Sequence, residues 1–407
     1  MSATLMDEPL LRSRGFRNLF VASAVSQFGS QITYVALPLL AVTTLGAGAG
    51  EVGLLSALGT LTVLLVGLPA GAWVDRVRRR PVMIATDVLR AAVLLSVPVA
   101  WWGGWLSMGH LYAVAVLVGM GTLLFDVASL SLVPGLVGRQ RLTSANSLLV
   151  GMGAGMDIAG RSTAGVLVQV AGAPVAILAD ALSYLWSALC LRGVPEPLMA
   201  VSPAPEPIRR QISAGVRFLF GNQVLVAALA QGTMANLAFP LCSVLLPVLI
   251  VERLGYPEWV LGAYLAVGGL GLLAGSSSAH LIGRRLGTGR ATWLVSLATA
   301  PASLLIPFMD RGPWLWAAAA AWFVLTFRTG VNNVLLVSLR QRVTPDDMLG
   351  RMSATMRLLL MGAVGLGGLL AGALGEIWGV RSALWAGALI MALSWIPILF
   401  SPLRRHP

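Results

Sequence analysis

Twelve runs of about twenty apolar residues, scarcely interrupted by charge, constrain this 407-residue chain more than any other feature. They fall near residues 18–44, 52–74, 82–102, 109–133, 146–171, 174–193, 223–250, 258–283, 291–309, 314–338, 353–375 and 382–401. A helix needs about 20 consecutive apolar residues to cross a bilayer, where lipid offers no hydrogen bond to an open backbone. Twelve such spans would use roughly 240 residues and leave mostly short connections. The runs are rich in Leu, Ala, Val and Gly and lack the ten-residue alternation of an outer-membrane barrel, so they read as helices. Only 11% of the residues are charged, against about 25% in soluble domains. This excludes a soluble enzyme, a secreted disulfide scaffold and a nucleic-acid binder, despite a formal charge of +12.

All 28 basic residues are Arg, which removes any Schiff-base amine and any lysine-dependent phosphate loop. Cys190 and Cys242 lie in apolar runs of separate halves and read as reduced thiols. His110, His280 and His406 have no metal-ligand spacing, so neither metal nor cofactor is expected. With the N-terminus placed in the cytoplasm, Arg253, Arg311 and Arg381 fall outside, and Arg90, Arg161 and Arg328 fall within spans. The remaining arginines collect at inner loops and inner span ends, as the positive-inside rule requires. Both termini are therefore expected in the cytoplasm, and the first apolar run, which lacks a cleavage site, is expected to stay as a span.

The longest polar interruption divides the chain into a bundle over 1–193, a cytoplasmic linker over 194–222 and a second bundle over 223–407. Pro195, Pro197, Pro203, Pro205 and Pro207 make the linker extended, and residues from Ile208 to Phe220 suit an amphipathic helix on the inner leaflet. The halves read as copies. Arg139-Gln140-Arg141 recurs as Arg340-Gln341-Arg342 at an offset of 201, and the segment leaving span two from Gly71 recurs from Gly275 at an offset of 204. Duplicated bundles with a midplane site between them are a transporter signature.

The loop Gly71-Ala72-Trp73-Val74-Asp75-Arg76-Val77-Arg78-Arg79-Arg80 resembles the G-x-x-x-D-R-x-G-R-[KR] motif of the major facilitator superfamily, with Arg78 in place of its second glycine. The resemblance implies an all-α polytopic fold of about twelve transmembrane helices in two six-helix bundles. It makes Gly71, Asp75, Arg76, Arg79 and Arg80 a cytoplasmic gate that holds anionic inner-leaflet headgroups, joined by Asp87 and Arg90. Phe125-Asp126-Val127-Ala128-Ser129, Pro134-Gly135 and Leu142-Thr143-Ser144-Ala145-Asn146 resemble the bacterial branch of drug:proton antiporters that contains macrolide-efflux and siderophore-export carriers. The branch's fifth-helix Gly-Pro motif is altered: Arg161 stands where proline is usual. The resemblance implies a monomeric inner-membrane carrier exporting a hydrophobic small molecule in exchange for protons. Its alternatives are a metabolite or lipid carrier and a non-transporting sensor on the same scaffold.

A charge at mid-bilayer costs at least about 2.5 kcal/mol on insertion scales, so intramembrane charges face partners or cavities. Asp157 and Arg161 stand four apart on one helical face and can pair directly. Asp126 and Arg328 hold matching places in the two copies and are expected to oppose each other, with Asp126 responding to protons; Asp180 is read as mainly structural. The resemblance places spans one, four, seven and ten around the central path. Gln27, Gln31 and Tyr34 share a face of span one, and Gln231 and Asn236 on span seven with Asn332 and Asn333 on span ten are their counterparts, all candidate substrate contacts. Gly271 with Gly275, and Gly368 with Gly372, have the spacing of close helix contacts.

Overall fold

Each of the twelve apolar runs forms a helix in the computed structural model, which describes residues 10–74, 77–138, 141–196 and 208–405. The order is α1 (Arg14–Leu45), α2 (Ala49–Val74), α3 (Arg79–Trp102), α4 (Met108–Val137), α5 (Leu142–Ala171), α6 (Ala173–Leu191) and α7 (Ile208–Gly221). Then come α8 (Gln223–Ser243), α9 (Glu258–Leu286), α10 (Thr288–Ser303), α11 (Pro313–Val343), α12 (Asp346–Trp378) and α13 (Val380–Leu393). The short amphipathic helix expected within the linker is α7. A π-helical turn, Pro247–Arg253, prolongs α8. Ten of these helices, among the described residues, are long and apolar enough to cross a membrane. Asp75, Arg76, Arg139, Gln140, the linker from 197 to 207 and His406 lie outside the described residues.

The chain clusters into two compact units, one of Met1–Gly46 with Thr62–Val201 and one of Ala47–Leu61 with Ser202–Pro407. In the first, α1 packs on α5 and α6, while α3 packs on α4 and α6. In the second, α8 packs on α12 and α13, while α10 packs on α11 and α13. The two lists are one pattern, α8 standing for α1 and α10 for α3, so the repeat seen in the loops extends to the helix pairing. Single glycines make corresponding turns: Gly172 joins α5 to α6 at φ 85° and Gly379 joins α12 to α13 at φ 87°. A side chain there would strain the left-handed backbone.

Lipid tails are as apolar as leucine, so close packing rather than water exclusion joins these helices. A Cβ added at Gly271 or Gly275 of α9 would overlap the backbone of α11 at Phe323 or Phe327, and one at Gly53 of α2 would overlap Gly372 of α12. Both glycine pairs singled out by spacing thus sit at crossings. Replacing Gly275 by Leu should cost about 1–3 kcal/mol by overpacking, read as a lowered melting temperature of the detergent-solubilised protein; an unchanged value would refute the contact. At the helix ends, Trp101, Trp102, Trp105, Trp314 and Trp316 are all exposed, as an interfacial belt needs. In the loop before α11, the Arg311 backbone N–H and the Arg381 guanidinium both donate to Asp310, at 2.8 and 2.7 Å, and hold its carboxyl below its ordinary value. A lowered pKa means that this tie is complete above the unfolded value and weakens as pH falls through the folded one.

Candidate functional site

Two faces of α1, about 100° apart, carry polar side chains, and each meets a different helix. Gln27, Gln31 and Tyr34 turn to α5. The Nε2 groups of Gln27 and Gln31 donate to Asp157 Oδ1 at 2.9 and 2.7 Å. Arg161 Nε donates to Gln31 Oε1 at 2.7 Å, and its guanidinium lies 5.0 Å from the centroid of the Tyr34 ring. The α5 backbone comes this near because residue 160 is glycine, where a Cβ would overlap Gln31 and the Phe28 carbonyl. The direct Asp157–Arg161 pair expected from the four-residue spacing is corrected by this geometry. Gln31 stands between them, donating to the acid with one end of its amide and accepting from the base with the other.

The other face of α1 meets α6. Ser30 Oγ and the Tyr184 hydroxyl lie 2.8 Å apart, and Thr33 Oγ1 donates to Asp180 Oδ2 at 2.5 Å. Ser183 Oγ donates to Asp180 Oδ1 at 3.0 Å. Asp180 is fully buried. Beside this network Arg90 forms a buried ion pair with Asp87, with its guanidinium 4.1 Å from the Tyr184 ring centroid and 4.7 Å from that of Phe125. Arg90 Nη1 also donates to Thr122 at 3.3 Å, and Asp126 lies one turn further along α4 from Thr122. The sequence reading missed the contacts of Ser30 and Thr33. Ser26, Ser30 and Thr33 repeat the four-then-three spacing of Gln27, Gln31 and Tyr34, one residue out of phase, and that was the available signal.

Of the gate residues, Arg79 and Arg80 open α3 and Gly71 lies near the end of α2. Arg80 Nη2 donates to the Arg192 carbonyl at 2.6 Å, and its backbone N–H donates to Glu196 at 3.3 Å. That ties the start of α3 to the end of the sixth span.

In the second unit, all five side chains singled out there line one cavity of about 250 Å³: Gln231 and Asn236 from α8, and Arg328, Asn332 and Asn333 from α11. Arg328 Nη1 donates to the Met391 carbonyl at 2.9 Å and to Ser394 Oγ at 3.1 Å, and Nη2 contacts Met391 Sδ. Asn332 Nδ2 donates to Ser296 Oγ at 3.0 Å, and Asn236 Nδ2 donates to the Leu360 carbonyl at 3.4 Å. The described donors of Arg328 therefore go to α13 and the turn that follows it.

Duplicated bundles of membrane-spanning helices, each with polar groups inside, define a carrier, and residues 19–366 match the family model of the Major Facilitator Superfamily. The chain belongs to that family. Its fold and family are those of transporters, which implies a small-molecule substrate and an integral membrane location. It is 28% identical over 404 residues to a protein of Mycolicibacterium fortuitum named multidrug efflux pump Tap, covering 95% of this chain and 96% of that one. Among solved structures it is similar to a bacterial homologue of the iron transporter ferroportin in an inward-facing state, with a TM-score of 0.74 and 18% identity over 96% and 99% of the two chains. The nucleoside transporter NupG gives a TM-score of 0.73 at 12% identity over 95% and 99%. Both show the fold.

Proposed function

We propose that this chain is a proton-coupled exporter of hydrophobic small molecules in a bacterial inner membrane, with both termini cytoplasmic. The similarity to a protein named as a multidrug efflux pump supports the direction and substrate class. The observation that carries the coupling is the relay Asp157–Gln31–Arg161. Asp157 is the member of this relay that can gain or lose a proton, because arginine is not deprotonated in proteins. While Asp157 is ionised, two amide donors point at it and the Arg161 charge is balanced one amide away. A proton taken up from outside removes that charge and weakens bonds worth about 1.5–3 kcal/mol each. Every 1.4 kcal/mol is a tenfold change in an equilibrium constant, so one proton suffices to re-weight two conformations of the α1–α5 contact. Asp126 is a second proton-responsive candidate, and the amide-lined cavity of the second unit supplies substrate contacts.

Everted vesicles holding the protein, given an imposed proton gradient and labelled hydrophobic antibiotics and dyes, test this reading. Uptake that collapses with a protonophore is the expected result. Gradient-independent equilibration, or no flux of any compound, would overturn it. Coupling through the relay also predicts that Gln31→Ala lowers gradient-driven uptake about tenfold or more while Asn236→Ala acts mainly on KM, measured in the same vesicles; equal effects on Vmax and KM from both would contradict the division of roles.

A further inference from the structure

We infer that the cavity of the second unit is a binding site for an amphipathic organic anion, with Arg328 holding a carboxylate or phenolate oxygen at mid-membrane. This deepens the transporter reading and rests on it for the ligand's entry.

Arg328 lies halfway along the 31-residue α11, about 22 Å from its start at 1.5 Å per residue. It is 2% exposed. Its described partners are a carbonyl, a hydroxyl and a thioether, and its Nε is buried with no hydrogen-bond partner. The two intramembrane arginines of the first unit differ. Arg90 is paired with Asp87, and Arg161 is one amide from Asp157. Among the described residues lining the second-unit cavity there is no carboxylate. A buried guanidinium with only neutral partners carries a desolvation cost that dipoles offset in part, and an incoming anion offsets far better. Removing the anion leaves the cost in place, so the differential favours binding a charged ligand over its neutral analogue.

The rest of the lining agrees with one end of a ligand rather than the whole. Asn332, one turn beyond Arg328, keeps a buried Oδ1 without a partner, which suits an O–H or N–H adjacent to the anionic oxygen. Ala228, Phe239, Leu336 and Leu360 supply apolar wall. A volume of about 250 Å³ falls below the 300–1,000 Å³ typical of drug-sized sites. The anionic head therefore fits here and the apolar remainder extends beyond. Arg340 lines this cavity and also an adjoining one of about 310 Å³, to which Arg357 contributes, again without a carboxylate among the described lining residues. Arg340 is twelve residues, or about 18 Å, further along α11 than Arg328. The three arginines make a cationic track from mid-span toward the α11 C-terminus. The acids singled out within the spans, Asp87, Asp126, Asp157 and Asp180, thus all lie in the first unit, and this track lies in the second.

The test is equilibrium binding to the full chain in phosphatidylcholine nanodiscs, with no gradient and no anionic lipid. Three probes share one ring system: 2-naphthoate, its methyl ester and 2-naphthylmethylammonium. Binding of the carboxylate at least about tenfold tighter than of the other two is expected. Arg328→Gln should remove that preference, so that the carboxylate binds no tighter than the ester to the same variant, and Arg328→Lys should keep part of it, because the charge stays while the planar fork is lost. If Arg328→Gln does not reach the membrane, Arg340→Gln carries the test, with a severalfold loss confined to the carboxylate. Equal binding of all three probes, or a carboxylate preference unchanged in Arg328→Gln or in Arg340→Gln used in its place, would overturn the inference. Because no gradient is present, failure of proton coupling leaves this result intact, and equal binding of the three probes by the unaltered chain leaves the vesicle test with neutral compounds to decide the export reading.

Discussion

Asp157→Asn should lower gradient-driven substrate accumulation in everted vesicles by about tenfold or more while protein level and gradient-independent exchange are retained. The substitution keeps the Oδ1 acceptor for the Gln27 and Gln31 amides, which donate at 2.9 and 2.7 Å, so the α1–α5 contact keeps its shape. What it removes is the group that can gain and lose a proton. The Arg161 charge then loses its counter-charge beyond Gln31 permanently, as it would in a carrier locked in the protonated state. Asp157→Glu should restore part of the coupling, because the carboxylate returns with its reach altered. Wild-type coupling in Asp157→Asn would remove Asp157 from the mechanism and turn attention to Asp126, whose own substitution by Asn is the next comparison.

Arg90→Ala should be the most destabilising single change in the first unit, by about 3–5 kcal/mol, because it leaves Asp87 buried without its cation. It also empties the space between the Tyr184 and Phe125 rings, where the guanidinium stacks at 4.1 and 4.7 Å. Replacing both partners, as Arg90→Met with Asp87→Leu, should recover most of the loss, since a buried ion pair exchanged for apolar side chains of similar volume is often neutral. Melting curves of the solubilised protein read both effects. Equal losses in the single and double variants would mean that the charge is not what holds α3 to α4 and α6. Transport by a stable double variant would then separate packing at this point from any part in coupling.

Much of this molecule was legible before any coordinates. The twelve runs gave twelve helices because an unbroken apolar stretch of spanning length has few other ways to satisfy its backbone in lipid. Gly271 with Gly275 and Gly368 with Gly372 fell at helix crossings because four-residue spacing puts small residues on one face. Gln231, Asn236, Arg328, Asn332 and Asn333 share a cavity for a related reason: exposing such groups to lipid is costly, so they turn inward.

Pairing between helices was not legible. Four-residue spacing suggested that Asp157 and Arg161 meet directly, yet α1 approaches at Gly160 and places Gln31 between them. The same helix carries a second polar face, visible in the spacing of Ser26, Ser30 and Thr33, but no property of α1 alone reveals that it meets Asp180 and Tyr184. The direction of the Arg328 donors, to Met391 and Ser394, depends on α13 lying beside α11. The sequence by itself determined which segments span the membrane, that they form a duplicated set, and which side chains avoid lipid, because these follow from transfer cost and helical period along one chain. Only the tertiary structure decided which acid meets which base, and that the described partners of Arg328 are all neutral, because hydrogen bonds act over about 3 Å and their partners lie on helices far apart in sequence.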